Sequence, residues 1–424
     1  MKKLLLLLLL AAGLNAFAQK QPLVDVKDAE RIENFLASDE MRGRKAGSPE
    51  IDRAADFIAS EFKKSGLEPF LGNSYLQKFT MVRAKQGLLK AEMNDKDIDP
   101  AEVIVITTKP EIKVNEKSGY EFDSISAREN FGTKARSLVR SGKNLIVWVD
   151  TSFSKNFGRI ASLKSQLFSM ENNVVFVLGK REAKTFTIKA EHEITSSAFS
   201  NVAAVLPGKS RKNEYVIFSA HYDHIGIGKP LNGDSIYNGA NDDAAGTTAV
   251  ILLAKHFKNL GNQERTIVFV AFTAEEIGGF GSQYFSGELD PASVAAMFNI
   301  EMIGTESKWG KNSAYITGFE MTDMGQILQK NLEGTDFRFH PDPYPQQRLF
   351  YRSDNATLAR LGVPAHTIST AKMEEEPHYH KASDEVSTLD ISNMAAIIEA
   401  IAKSSASIVS GKDTPSRVKA GSMR

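Results

Sequence analysis

Tyr215-Val216-Ile217-Phe218-Ser219-Ala220-His221 is an almost wholly apolar run that ends on a histidine. Two later runs share the pattern. Thr266-Ile267-Val268-Phe269-Val270-Ala271-Phe272 leads into Thr273-Ala274-Glu275-Glu276, and Ala296-Met297-Phe298-Asn299-Ile300 closes on Glu301. Runs of this length, rich in β-branched and aromatic residues, predict buried strands. Between the first two, Asn238-Gly239-Ala240-Asn241-Asp242-Asp243-Ala244-Ala245-Gly246 is a small-residue loop feeding a helical pattern from about 245 to 260. Further helical patterns near 281–287, 324–332 and 391–409 alternate with strands near 314–316 and 364–368. This alternation predicts an α/β fold, a mixed and mostly parallel β-sheet flanked by helices.

In open α/β sheets ligands bind beyond the carboxyl ends of the strands, which is where His221, Glu276 and Glu301 fall. Charged groups beside buried strands are costly unless paired. A metal ion would pair with all of them at once. Imidazole and carboxylate donors without thiolate suit zinc. With Asp242 and His380 the set reaches five, enough for two Zn²⁺ ions. Each ion takes one histidine and one terminal carboxylate, His221 with Glu301 and His380 with Glu276, while Asp242 bridges. Small residues around Asp242 let the backbone approach the ions. Two metals about 3.5–4 Å apart activate a water and polarise a carbonyl. Glu275, pointing away from its neighbour at the strand end, is left as general base. Asp223, two residues beyond His221, is expected to accept that histidine's second ring N–H. His378 competes with His380 as the last ligand, and His224 divides evenly between lining the cleft and a structural role.

The remaining composition narrows the class. Lys2 and Lys3 precede a leucine run at 4–10 and then Ala16-Phe17-Ala18, the pattern of a secretory signal peptide cleaved after Ala18. A periplasmic or secreted protein without a membrane span is expected. The absence of cysteine excludes disulfides and thiolate metal sites. Lys plus Arg and Asp plus Glu are equal at 52 each, which gives no reason to expect nucleic acid as a partner. The organisation predicted is a signal peptide at 1–18, a catalytic domain at 19–78 and 200–410, an inserted β-rich accessory module at 79–199, and a flexible tail at 411–424. Glu374-Glu375-Glu376 forms a short acidic run near the end of the catalytic part.

Five segments together resemble family 28 of the metallopeptidases, the di-zinc aminopeptidases: Ser219-Ala220-His221-Tyr222-Asp223-His224, Gly239 to Gly246, Thr273-Ala274-Glu275-Glu276-Ile277-Gly278, Asn299-Ile300-Glu301-Met302-Ile303-Gly304, and Tyr379-His380-Lys381-Ala382-Ser383-Asp384. The likeness extends to Leu36-Ala37-Ser38-Asp39-Glu40-Met41-Arg42-Gly43-Arg44 and to Arg352-Ser353-Asp354. It implies hydrolysis of the N-terminal bond of peptide substrates, with Tyr379 helping to stabilise the oxyanion. It also implies that the insert is similar to a protease-associated module. The chain departs from the family pattern at Glu301, where aspartate is usual, at Asp243, where asparagine is usual, and at Asn355, where many relatives have histidine. Two variants of the same fold stay open, a one-zinc glutaminyl cyclase and a carboxypeptidase with a basic pocket for a free carboxylate. A non-enzymatic scaffold would predict a missing ligand, and none is missing.

Overall fold

The structure is a computed structural model that describes residues 24–180 and 184–419. The signal peptide expected at 1–18 lies outside the described residues. Among the described residues no helix is long and apolar enough to cross a membrane.

The three apolar runs are adjacent strands. Arg211–His221 lies between Arg265–Phe272 and Val294–Ile300 and runs parallel to both, and Ala365–Ser369 continues the parallel set beyond Val294–Ile300. Parallel strands all point their carboxyl ends the same way, so His221, Glu275, Glu276 and Glu301 leave the sheet at one edge. Both faces are covered, as parallel sheets require. Alternate residues such as Val216, Phe218, Ala220, Phe269 and Phe298 enter a large core shared with the helices Val26–Leu36, Pro49–Lys64, Ala245–Leu260 and Ile391–Val409. Ile217, Val268, Val270 and Met297 face the other way, against the helices Phe280–Gly287 and Asn355–Ala359. Antiparallel pairs flank this centre on both sides. Phe186–Leu206 pairs antiparallel with Arg265–Phe272, and Ser313–Ile316 with Ala365–Ser369.

The predicted insert is less separate than its bounds imply. Leu76–Met93 and Phe186–Leu206 form an antiparallel ribbon that runs unbroken into the central sheet, because residues 202–206 of the second strand pair with residues 267–271. Beyond the ribbon stands a second sheet of four strands, Val103–Ile106, Val174–Leu178, Leu145–Val149 and Glu121–Ile125. One face packs on the ribbon through Val105, Ile146 and Trp148, and the other on the helix Phe131–Val139 through Val147 and Phe176.

The tail departs from expectation over 412–419. Arg265, 1% exposed, donates to the carbonyl oxygens of Ile408 and Asp413 and to Thr414 Oγ1. Val418 is buried beside Val363, and its N–H donates to Gly362 O at 3.1 Å. The segment is therefore docked, because a buried guanidinium needs its carbonyls. Composition alone showed only a short polar stretch.

Candidate metal centre

The loop carrying Asp242 is held by backbone contacts that only small residues permit. A Cβ on Gly246 would lie 2.2 Å from Ile300 O and 2.5 Å from the Asp243 carboxylate; one on Gly239, at φ 59°, would lie 2.5 Å from the His224 ring. Asp384 accepts the N–H groups of Asn241 at 2.8 Å and Asp242 at 3.1 Å. Asp243, fully buried, accepts from His221 N, Gly246 N and Met302 N at 3.0–3.3 Å. Its carboxylate thus ties three segments of the site together. Burial pushes the Asp243 carboxyl well up, and Glu301 adds to that.

The five predicted ligands converge. His221 Nε2 is 3.2 Å from Asp242 Oδ1, and His380 Nε2 is 3.3 Å from Asp242 Oδ2 and 3.2 Å from Glu276 Oε2. One donor atom each from His221, Asp242 and Glu301 lie within 4.8 Å of one another, and the same holds for His224, Asp242 and Glu276. Asp242 belongs to both groups, the position a bridging ligand occupies. Three residues in or beside the group take left-handed backbone angles, Ala274 at φ 60°, Met302 at φ 53° and His380 at φ 54°. Such conformations persist in non-glycine residues where the surroundings enforce them, commonly at functional sites.

Buried charge here is out of balance. Asp242, Asp243, Glu275, Glu276, Glu301 and Asp354 crowd together, and Glu301 Oε2 and both oxygens of Asp354 have no hydrogen-bond partner among the described residues. Burial raises the Glu301 carboxyl to about 7 and that of Asp354 to about 6. Burial also works to raise Asp242, but His221 and His380 overcome it and hold this carboxyl below the usual range. Against burial, Asp242 and Glu276 lift the His380 imidazole to about 10. Protons on the histidines therefore stand where cations fit, and the oxygen and nitrogen donor set, with acceptors left over, suits zinc.

One expectation changes in detail. His221 Nδ1 faces the main-chain oxygen of Asp223 at 3.1 Å, while the Asp223 carboxylate is 3.9 Å away. That carboxylate instead accepts Glu275 N at 3.0 Å and Glu276 N at 3.4 Å, so it fixes the neighbouring strand end. The chain turns directly after His221, which folds the carbonyl, and not the side chain, back onto the ring. His378 lies apart from the donors, with Nδ1 3.0 Å from Ser383 Oγ.

Several contributors were not foreseen. His224, fully buried, sets Nδ1 2.7 Å from Glu276 Oε1. Its place beside His221 in sequence was visible, its partner was not. Arg44, also fully buried, donates to Tyr222 O, Asn238 O and Gly239 O at 2.7–2.9 Å and so braces both ligand loops. Asn355 donates to Phe350 O and Ala365 O and accepts from Thr367 Oγ1, which makes it a buried strut.

A cavity of about 130 Å³ opens on the group, lined by Asp242, Glu275, Glu276, Glu301, Tyr379 and His380 on one side and by Met302, Tyr315, Leu349 and Met373 among others on the far side. Glu275 is half-buried in this wall, and burial, with Asp354, Glu301 and Glu276 nearby, raises its carboxyl well above the ordinary value against the pull of His221. Tyr379 stacks on His380 with ring centroids 3.9 Å apart, and burial together with Asp242 and Glu301 keeps its phenol protonated.

Residues 201–405 match the sequence profile of peptidase family M28. A probable leucine aminopeptidase of Trichophyton verrucosum is 29% identical over 204 residues, covering 46% of this chain and 53% of its own. The chain thus spans about half the length of the curated relatives it matches. Among solved structures, an aminopeptidase from Aneurinibacillus sp. strain AM-1 superposes with TM-score 0.53 at 18% identity, over 91% of this chain and 94% of its own. A zinc aminopeptidase from Bacillus subtilis gives 0.55 at 16% identity, over 95% and 97%. These two likenesses establish a shared fold. The match to peptidase family M28 spans residues 201–405, which hold all five candidate ligands together with Glu275 and Tyr379.

Proposed function

We propose that this protein is an exported, zinc-dependent aminopeptidase that hydrolyses the N-terminal bond of peptides. The observation that carries this reading is the double use of Asp242, whose two oxygens face separate donor groups at the mouth of a cavity containing an acid and a phenol. His221, Asp242 and Glu301 would hold one Zn²⁺, and Asp242, Glu276 and His380 the other, with His224 orienting Glu276 from behind. Two bound ions would supply a polarised carbonyl and an acidified water. Glu275 takes a proton from the attacking water and delivers it to the leaving amine, a transfer for which a raised carboxyl pKa is suited. Tyr379 donates its phenolic hydrogen where negative charge develops on the carbonyl oxygen. Surplus carboxylate charge around the cavity favours a substrate that arrives with a free ammonium group.

Substituting Glu275 by Gln tests the assignment: zinc content should stay at two per chain while turnover of leucine amide falls by about 10²–10⁴-fold, the usual worth of a general base. Wild-type turnover in the variant would sink the role. A single zinc per chain would favour the cyclase variant, and cleavage of peptides with blocked N-termini the carboxypeptidase variant. Export is proposed on the leader-like sequence alone, and the mature chain recovered outside the cytoplasm should begin at Gln19.

A further inference from the structure

The chamber beside the ligands is small, about 130 Å³, and has room for one side chain. Anything beyond the cleaved bond must leave it. Past Leu349 and Arg352, which line both spaces, it adjoins a cleft of about 830 Å³ between the 342–360 segment and the inserted module's helix Phe131–Val139, which contributes Thr133.

This cleft gathers guanidinium groups. Arg348, Arg352 and Arg360 line it, and among the described residues none of the three has a carboxylate within ion-pairing distance. Arg352 Nη1 donates to the Gln347 amide oxygen at 3.2 Å, a neutral partner. Arg348 is held at φ 51°, ψ 45° between the short turns Pro345–Gln347 and Leu349–Tyr351. A left-handed backbone is unfavourable for an arginine, so the position is imposed by its surroundings. From the module, Arg136 and Arg140 approach the same region: crowding by protein and the like charges of Arg136 and Arg360 push the Arg140 guanidinium down. Glu320 and Asp342 also line the cleft, so its three arginines outnumber its carboxylates by one. Unpaired arginines gathered at one cleft are an anion site, and carboxylate is the anion a planar guanidinium matches best.

We propose that this cleft receives the portion of a peptide substrate beyond the cleaved bond and selects peptides carrying a carboxylate there, with Arg348 and Arg352 as the anchors. The proposal rests on the aminopeptidase reading. Two sources supply the carboxylate, the C-terminus of a short peptide or an acidic side chain.

Its test is calorimetric binding to the zinc-loaded protein of an uncleavable Leu-Ala-Ala analogue with a reduced first bond, as free acid, as C-terminal amide, and as the amide with Glu in third position. The free acid, the Glu-containing amide or both should bind at least about fivefold tighter than the plain amide, and 0.5 M salt should erase the preference, as expected for exposed charges. A double variant, Arg348→Gln with Arg352→Gln, should bring the ligands within about twofold of one another. Equal binding of all three by the wild-type protein, or a preference unmoved by salt, overturns the proposal. A preference retained in the folded double variant overturns it too. Turnover of leucine amide, measured alongside, separates the two readings: without turnover but with the preference intact, the aminopeptidase reading falls and the anion cleft stands.

Discussion

Two buried polar groups lie side by side in this molecule and differ in one respect. Around Arg44 the donors are spent: Nε donates to Tyr222 O, Nη1 to Leu36 O and Asn238 O, and Nη2 to Gly239 O. Around Asp242 acceptors are left over, at Glu301 and Asp354. A satisfied buried charge is part of the scaffold, whereas an unsatisfied set of like charges marks a place for something absent from the chain. Arg44 is the strut, and the Asp242 group is what it holds in place.

The largest effect that would break this comparison comes from Asp242→Ala. Because Asp242 serves both donor groups, both ions should be lost, and turnover should fall by more than about 10³-fold. A variant that keeps two zinc ions by elemental analysis would remove the bridge. Arg44→Met should act on the fold itself and destabilise it with or without metal by about 4 kcal/mol in urea titration, the cost of leaving buried groups without their partner. Equal stability of the two metal-free proteins would show that the strut carries no load.

His366 extends the satisfied class to a titrating group. Nδ1 faces Thr317 O and Nε2 faces Thr322 Oγ1, both at 2.8 Å, so the ring is held neutral with its proton on Nδ1. Burial, against the Thr317 carbonyl, pushes this imidazole down to about 4. The folded value lies below the unfolded one near 6.5, so the stability it confers is complete above pH 6.5 and lost as pH falls towards 4. The loss is roughly 3 kcal/mol. His366→Gln should flatten that part of the stability curve, and an unchanged slope would argue against it. The smallest effect belongs to Glu301→Asp, which restores the family's usual residue. Affinity for the ion beside His221 should change by about tenfold or less while the second ion is unaffected, as competition with a chelator would show.

How much of this was legible depended on distance along the chain. His221, Glu276 and Glu301 could be read because each follows an apolar run whose own composition predicts a buried strand, and Asp242 because its loop is built of small residues. His380 needed only its neighbours. Arg44, Asp384 and the His224 to Glu276 contact could not be read, since each depends on loops brought together from distant parts of the sequence. The ribbon of Leu76–Met93 and Phe186–Leu206 blurred the predicted domain bounds for a related reason: a strand's periodicity shows that it pairs, but not how far its partner continues.

By itself the sequence determined the strand grammar, the shared edge at which the ligands emerge, and the donor chemistry that points to zinc, because these follow from local periodicity and residue type. Only the tertiary structure decided which atoms face one another. It gave Asp223 to the amides of Glu275 and Glu276, set His224 behind Glu276, docked the 412–419 tail on Arg265, and gathered arginines at the cleft beside the chamber. Such pairings depend on angles and distances between segments far apart in the chain, and hydrogen bonds and ion pairs tolerate errors of only a few tenths of an ångström.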